Sequence, residues 1–175
     1  MPINIEMKAR ARDWESQIRT ARRMFSRSEV LRQEDIFFNC PNGRLKLRRL
    51  GPERAELIFY RRDDQAGPKR SLFLISPSPD PDSMRELLSE AYGESRTVEK
   101  RRLALLGPQT RVHFDEVEGL GRFLEVEYTL RPGQAHAEGR AAVDDLMGRL
   151  GIREEDLLET AYADMLGDGA ARPHA

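Results

Sequence analysis

Cysteine is nearly absent: Cys40 is the only one in 175 residues. That excludes an internal disulfide and fits a reducing compartment. Net charge is almost absent too. Lys plus Arg number 29 and Asp plus Glu 30, so no global field draws the chain to nucleic acid or an anionic membrane, and any electrostatic function must come from local sorting of charge. Long hydrophobic runs are missing: nothing approaches the roughly 20 apolar residues that span a bilayer, and the N-terminus has no apolar signal-peptide core. The expectation is a cytoplasmic protein. No internal repeat and no dividing linker stand out, and 39% hydrophobic residues are enough for one core. A single domain over residues 1–166 is expected, followed by a Gly/Ala/Pro tail over 167–175 read as disordered.

What the chain does have is alternation. In Ile3-Asn4-Ile5-Glu6-Met7-Lys8 a strand puts Asn4, Glu6 and Lys8 on one face and Ile3, Ile5 and Met7 on the other. The pattern returns at Arg44-Leu45-Lys46-Leu47-Arg48 and again at Phe123-Leu124-Glu125-Val126-Glu127-Tyr128. Further strands are predicted over Val30–Phe38, Ala55–Arg62, Arg70–Ser76, Thr97–Leu106 and Thr110–Val117, with the last over Arg122–Leu130. Asn39-Cys40-Pro41-Asn42-Gly43 is a hairpin turn signal. Ser76-Pro77-Ser78-Pro79-Asp80-Pro81 reads as a break in all regular structure. Helices are predicted over Trp14–Phe25 with Asp13 as cap, over Met84–Tyr92 ended by Gly93, over Ala135–Leu150, and as a short piece over Glu154–Tyr162. Hairpins interrupted by amphipathic helices argue an α+β fold of about eight antiparallel strands.

On this reading one face collects Glu6, Lys8, Lys46, Arg48, Arg62, Lys100, Arg102, Arg111, Asp115, Glu125 and Glu127, with Arg10, Arg44 and His113 in phase. Two arrangements accommodate it. One is an open sheet with a solvated polar side. The other is a closed barrel whose greasy exterior is covered by the helices and whose charged side faces inward. Runs of one sign along a strand, Lys46 with Arg48, Lys100 with Arg102, Glu125 with Glu127, repel unless a ligand of opposite sign sits among them. A row of Lys and Arg suits a polyphosphate. Glu6, Asp115, Glu125 and Glu127 offer hard oxygens suited to Mg²⁺ or Mn²⁺. Together they suggest a metal-bound triphosphate.

At these residues the sequence resembles the CYTH family, or triphosphate tunnel metalloenzymes, which includes class IV adenylyl cyclases, thiamine triphosphatases and inorganic triphosphatases. Asn4-Ile5-Glu6-Met7-Lys8 looks like the family's opening Glu-x-Glu-x-Lys; Leu45-Lys46-Leu47-Arg48 and Lys100-Arg101-Arg102 look like its basic strands; the stretch from Arg111 to Glu127 looks like its closing signature. The resemblance covers Ile3 to Leu166. It implies an eight-stranded antiparallel tunnel with a charged lumen and helices outside, acting on a triphosphate with Mg²⁺ or Mn²⁺. Lys8, Lys46, Arg48, Arg62, Lys100, Arg102 and Arg111 would hold phosphate, Glu6, Asp115, Glu125 and Glu127 would serve the metal, and Glu6 with Lys8 would form the catalytic strand. The partner implied is a small triphosphate (ATP, thiamine triphosphate or inorganic triphosphate), processed by hydrolysis or by cyclisation of ATP. The chain departs from the pattern at Asn4, a neutral amide where the family has its first Glu. One carboxylate fewer weakens a second metal site and motivates an alternative reading, a polyphosphate- or nucleotide-binding module without useful turnover. An RNA 5′-triphosphatase is a third reading, against which stands the lack of a basic approach surface or aromatic stacking platform.

Other residues have plain readings. His113 reads as a hydrogen-bonded structural histidine before a general base. Tyr60 divides evenly between a ligand contact and packing at the barrel mouth. Lys69 reads as a solvated loop lysine, Trp14 as a residue packing on the barrel exterior, and Cys40 as an unreactive turn residue.

Overall fold

A computed structural model describes residues 1–62 and 64–166; the tail predicted over 167–175 lies outside the described residues. The chain runs β1 (Ile3–Arg10), α1 (Trp14–Met24), β2 (Arg27–Phe38), β3 (Arg44–Gly51), β4 (Arg54–Arg62), β5 (Lys69–Ser78), α2 (Pro81–Tyr92), β6 (Glu94–Leu106), β7 (Thr110–Val117), β8 (Gly121–Thr129) and α3 (His136–Arg149). A 3₁₀ turn, Glu154–Asp156, and a short α4, Tyr162–Met165, complete it. The eight strands close into a barrel in the order β1-β5-β4-β3-β2-β6-β7-β8, every neighbouring pair antiparallel. Closure removes the sheet edges. No helix among the described residues is long and apolar enough to cross a membrane.

Alternation sorts each strand between an outer apolar face and a polar lumen. Outward Ile5, Met7, Ala9, Leu105, Val112, Phe114, Leu124 and Val126 pack under Ala21 of α1 and Val143 and Leu146 of α3. Trp14 meets Phe114 edge-on at 5.5 Å between ring centroids, on the exterior as expected. On the other flank α2 lays Leu88 on Ile36, Phe38, Leu47 and Ala55. Asp13 caps α1 by accepting from the Ser16 amide, and Asp80 caps α2 by accepting from the Ser83 amide, satisfying amides that the first turn leaves free.

Two sequence expectations are corrected. The Pro-rich stretch does not break at Ser76: β5 continues to Ser78, with Pro77 opposite Glu56 of β4. Its neighbour β1 pairs with β5 only through Leu72, so Pro77 stands where a missing N–H interrupts no ladder on that side. The short helix over Glu154–Tyr162 is instead a 3₁₀ turn and a separate α4. The chain between them lends its Leu158 amide to the Lys8 carbonyl and carries α4 across one end of the barrel.

Helix α3 approaches the barrel through Gly139. A Cβ there would come within 2.8 Å of both Ile5 and Leu130 and 3.3 Å of Tyr128. Gly139→Val is therefore expected to destabilise the protein by about 2 kcal/mol through overpacking, read as a lower urea midpoint with the slope unchanged; a neutral substitution would show that α3 can shift outward freely.

Candidate active site

The lumen is a cavity of about 410 Å³. It is lined by Glu6, Lys8, Lys46, Arg48, Arg62, Lys100, Arg102, Arg111, Glu125 and Glu127, ten of the eleven residues assigned to the site from sequence. Asp115 is the exception. It is fully buried behind Arg102, whose Nε and Nη2 donate to its two oxygens at 2.7 and 2.6 Å, while the Tyr162 hydroxyl donates to Oδ2 at 3.0 Å.

One end of the cavity is shut. Tyr162 and Ala163 of α4 pack with Phe37, Val98, Val117 and Phe123 inside the barrel, and the Lys8 ammonium sits 3.4 Å from the Tyr162 ring centre, a cation–π contact in a dry setting. Moving away from Tyr162, the inward positions on β2, β3, β5 and β6 pass from charged residues to Leu31, Leu50, Phe73, Ile75, Ala104 and Leu106, all of which line the same cavity. The result is a charged floor beneath an apolar collar, with Arg54, Glu56 and Arg111 at the outer level.

The cations do not stand unpaired. Asp35, inward on β2, accepts from Lys46 at 2.8 Å, from Lys100 at 2.7 Å and from Arg48 at 2.7 and 3.0 Å. Burial opposes its charge, yet Arg48, Lys100 and Lys46 outweigh burial and hold its carboxyl well below the ordinary range. Burial and the neighbouring Arg48 in turn push the Lys46 ammonium down to about 7. Around Glu125, Lys8 lies at 3.1 Å and Arg102 at 2.7 Å; burial opposes its ionisation too, and these two cations overcome it. Arg62 donates one bond to Glu6 at 3.1 Å, while its Nε and Nη2 are buried without a hydrogen-bond partner.

The carboxylates crowd one another. Glu6 and Glu127 face each other directly across the β1–β8 pair, an arrangement that is unfavourable for like charges. Burial and then Glu127 raise the Glu6 carboxyl above its usual value. His113 is 5% exposed, and its Nδ1 lies 3.5 Å from Glu125 and 3.7 Å from Glu127, too long or too poorly aligned for a good hydrogen bond to either. One ligand atom each from His113, Glu125 and Glu127 lie within 4.8 Å of one another. Carboxylates crowded together with an imidazole beside them fit a divalent cation. Asn4 is buried, its Oδ1 accepting from the Thr129 hydroxyl at 2.8 Å, so its carbonyl is already engaged.

Sequence reasoning missed Asp35 and Tyr162. Asp35 lies in Asp35-Ile36-Phe37-Phe38, where both faces are buried and alternation is masked, but hairpin register counted from the Pro41-Asn42-Gly43 turn sets it opposite Arg48. Nothing local marks Tyr162, which arrives from outside the sheet. Lys69 is not solvated: it is 2% exposed and donates to the Gln65 and Glu159 carbonyls at 2.6 and 2.8 Å, tying the 64–68 loop to the segment before α4.

Eight antiparallel strands thus close around a charged lumen that is shut at one end. The chain belongs to the CYTH family, whose domain matches residues 2–162. Among solved structures it is similar to a protein of Pyrococcus horikoshii OT3, with TM-score 0.80, 24% identity, and 92% of this chain and 98% of that one covered. A candidate adenylate cyclase of Vibrio parahaemolyticus aligns with TM-score 0.74 and 17% identity over 94% and 97% of the two chains. A candidate adenylyl cyclase of Hippeastrum with a dominant triphosphatase activity aligns with TM-score 0.64 and 14% identity over 95% and 94%. No curated protein matches the sequence.

Asp35→Asn would leave three cations facing one another. A loss of about 3 kcal/mol is expected, the lower end for a broken buried pair, because Lys46 can shed its proton. The Asp35 carboxyl is depressed in the fold, so its contribution is complete above the unfolded-chain value of about 3.9 and is lost as pH falls below it. Denaturant melts should therefore show the variant less stable throughout pH 5 to neutrality, and by more towards pH 5, where Lys46 is forced to keep its proton without Asp35 beside it; equal midpoints there would remove Asp35 from its central role.

Proposed function

We propose that the protein is a divalent-metal-dependent enzyme acting on an organic triphosphate in the lumen. The observation that carries the reading is the facing of two unlike clusters across one closed cavity: cations on β3, β4 and β6 and the carboxylates Glu6, Glu125 and Glu127 on β1 and β8. Lys46, Arg48, Lys100 and Arg102 would hold phosphate oxygens, with the two unpartnered donors of Arg62 completing the cradle. Lys8, between Glu125 and Tyr162, would orient the phosphate nearest Glu6. Asp115 would act by keeping the Arg102 fork flat and aimed inward, a role different from the metal ligation expected from its place in the sequence. Glu6, Glu125 and Glu127 would hold the cation, Mg²⁺ or Mn²⁺, which when bound neutralises phosphate charge and favours in-line attack. The apolar collar would seat the organic part, which favours ATP or thiamine triphosphate over inorganic triphosphate.

A screen of these three triphosphates with Mg²⁺ or Mn²⁺, measuring phosphate, pyrophosphate and cyclic AMP separately, tests the reading and separates hydrolysis from cyclisation. Metal-dependent product is expected, more from an organic triphosphate than from the inorganic one. Glu127→Gln, which removes the carboxylate whose cation partner is most distant, Arg111 at 3.8 Å, should cut activity at low metal by about 10- to 100-fold with little change in melting temperature. Tight binding without product would instead favour the binding-module reading that Asn4 motivates, and absence of both would end the proposal.

Proton linkage offers an independent check. In the empty lumen Lys46 is charged below about pH 7 and mostly neutral above it; a bound polyanion raises that value. Binding of a non-hydrolysable triphosphate analogue at pH 8 should then take up about one proton, seen as a calorimetric enthalpy that varies with the ionisation enthalpy of the buffer. At pH 6 the uptake should vanish, and in Lys46→Arg it should vanish at both. Uptake unchanged in Lys46→Arg would assign it to another group.

A further inference from the structure

We propose that His113 is a nitrogen ligand of the lumen metal and that it turns the site from Mg²⁺ towards first-row transition ions such as Mn²⁺. The inference rests on the reading of Glu6, Glu125 and Glu127 as the metal carboxylates, and extends it to a residue and a selectivity which that reading lacks. His113 stands inward on β7, between Ala104 of β6 and Glu125 of β8 in the strand register. A packing histidine normally satisfies both ring nitrogens, and burying one without a partner costs about 1–3 kcal/mol. Here the buried Nδ1 makes no hydrogen bond and points between two carboxylates. Three donors within 4.8 Å of one another are close enough to converge on one ion at ordinary ligand lengths of about 2.0–2.2 Å with modest side-chain movement.

The neighbouring groups decide which donors are available. Glu125 is committed to Lys8 and Arg102, and Asn4 is engaged by Thr129. Glu127 and His113 are left as the least committed pair facing the same space. The chain thus has a neutral amide in the position of an anionic oxygen, and an imidazole nitrogen aimed at the remaining carboxylates. Mg²⁺ prefers oxygen and binds imidazole poorly, whereas affinity for nitrogen donors rises along the first transition row. Exchanging an oxygen for a nitrogen therefore lowers the advantage of Mg²⁺ while preserving sites for phosphate-bridging oxygen.

Electron spin-echo envelope modulation of the full chain loaded with Mn²⁺ reads this directly. A ¹⁴N coupling from a ligated imidazole is expected in wild type and should be lost in His113→Gln, with Mn²⁺ affinity falling about tenfold and Mg²⁺ affinity changing far less. Bound Mn²⁺ without nitrogen coupling in wild type would overturn the assignment of His113 and leave the carboxylate site standing. Failure of either ion to bind would overturn both. The wild-type spectrum decides the matter even where His113→Gln fails to fold.

Discussion

The structure depends on mutual neutralisation of charge inside a closed barrel. Once eight strands shut, every inward Lys and Arg loses most of its water, and a desolvated ammonium or guanidinium without a partner costs several kcal/mol. Asp35 answers for three of them at once, Lys46, Arg48 and Lys100. Asp115 and Glu125 answer for Arg102, and Glu125 for Lys8. Such pairs seldom add stability beyond what well-packed hydrocarbon would give, so on the proposed reading they serve the ligand more than the fold. The balance is also incomplete: Nε and Nη2 of Arg62 and Nδ1 of His113 are buried without a hydrogen bond, while Lys46 stays near its titration point at about 7. These are the places where an incoming polyanion or cation has most to gain.

That interior is possible because the exterior supplies the folding energy. Helices α1 and α3 cover the flank built by β1, β6, β7 and β8 and α2 that of β2 and β3, so most of the outer apolar surface is buried against helix and the lumen need not contribute a hydrophobic core along its length. The end beneath α4 is packed with hydrocarbon and aromatic rings. A plug at one end and an apolar collar at the other confine the charged layers to the middle. There the dielectric is low enough for direction and distance to matter.

How much of this was legible in the sequence follows from how each residue is constrained. Alternation in Glu6-Met7-Lys8, Lys46-Leu47-Arg48 and Glu125-Val126-Glu127 is a local property, and it assigned those side chains to the lumen because a strand allows two faces and the apolar one had to go outward. Asp115 shows the limit of the same reasoning. Its parity is correct, but parity says nothing of depth, and at its level Arg102 and Tyr162 fill the space between it and the cavity. Asp35 was hidden because Ile36, Phe37 and Phe38 beside it are apolar on both faces: Phe37 joins the plug while Ile36 and Phe38 meet α2. Tyr162 and Lys69 were beyond reach for a different reason. Their positions are set by a non-repetitive segment, residues 150–162, whose path depends on contacts with Lys8 and the 64–68 loop and on no pattern of its own.

Strand β1 is where the opposing demands meet. Paired with both β5 and β8, it sets Glu6 across from Glu127 and Lys8 across from Glu125 in the same register. One strand therefore carries a repulsive pair and an attractive pair two residues apart. The attractive pair fixes Lys8 and Glu125 against Tyr162. The repulsive pair leaves a concentration of negative charge that burial makes harder to bear, visible in the raised Glu6 carboxyl. At the next inward position a further carboxylate would extend that repulsion, and Asn4 instead closes a neutral hydrogen bond with Thr129. On the proposed reading Asn4 trades some hold on a second cation for a less strained empty lumen. The cost of Glu6 facing Glu127 is then met by a single ion, and His113 stands where it can share that ion.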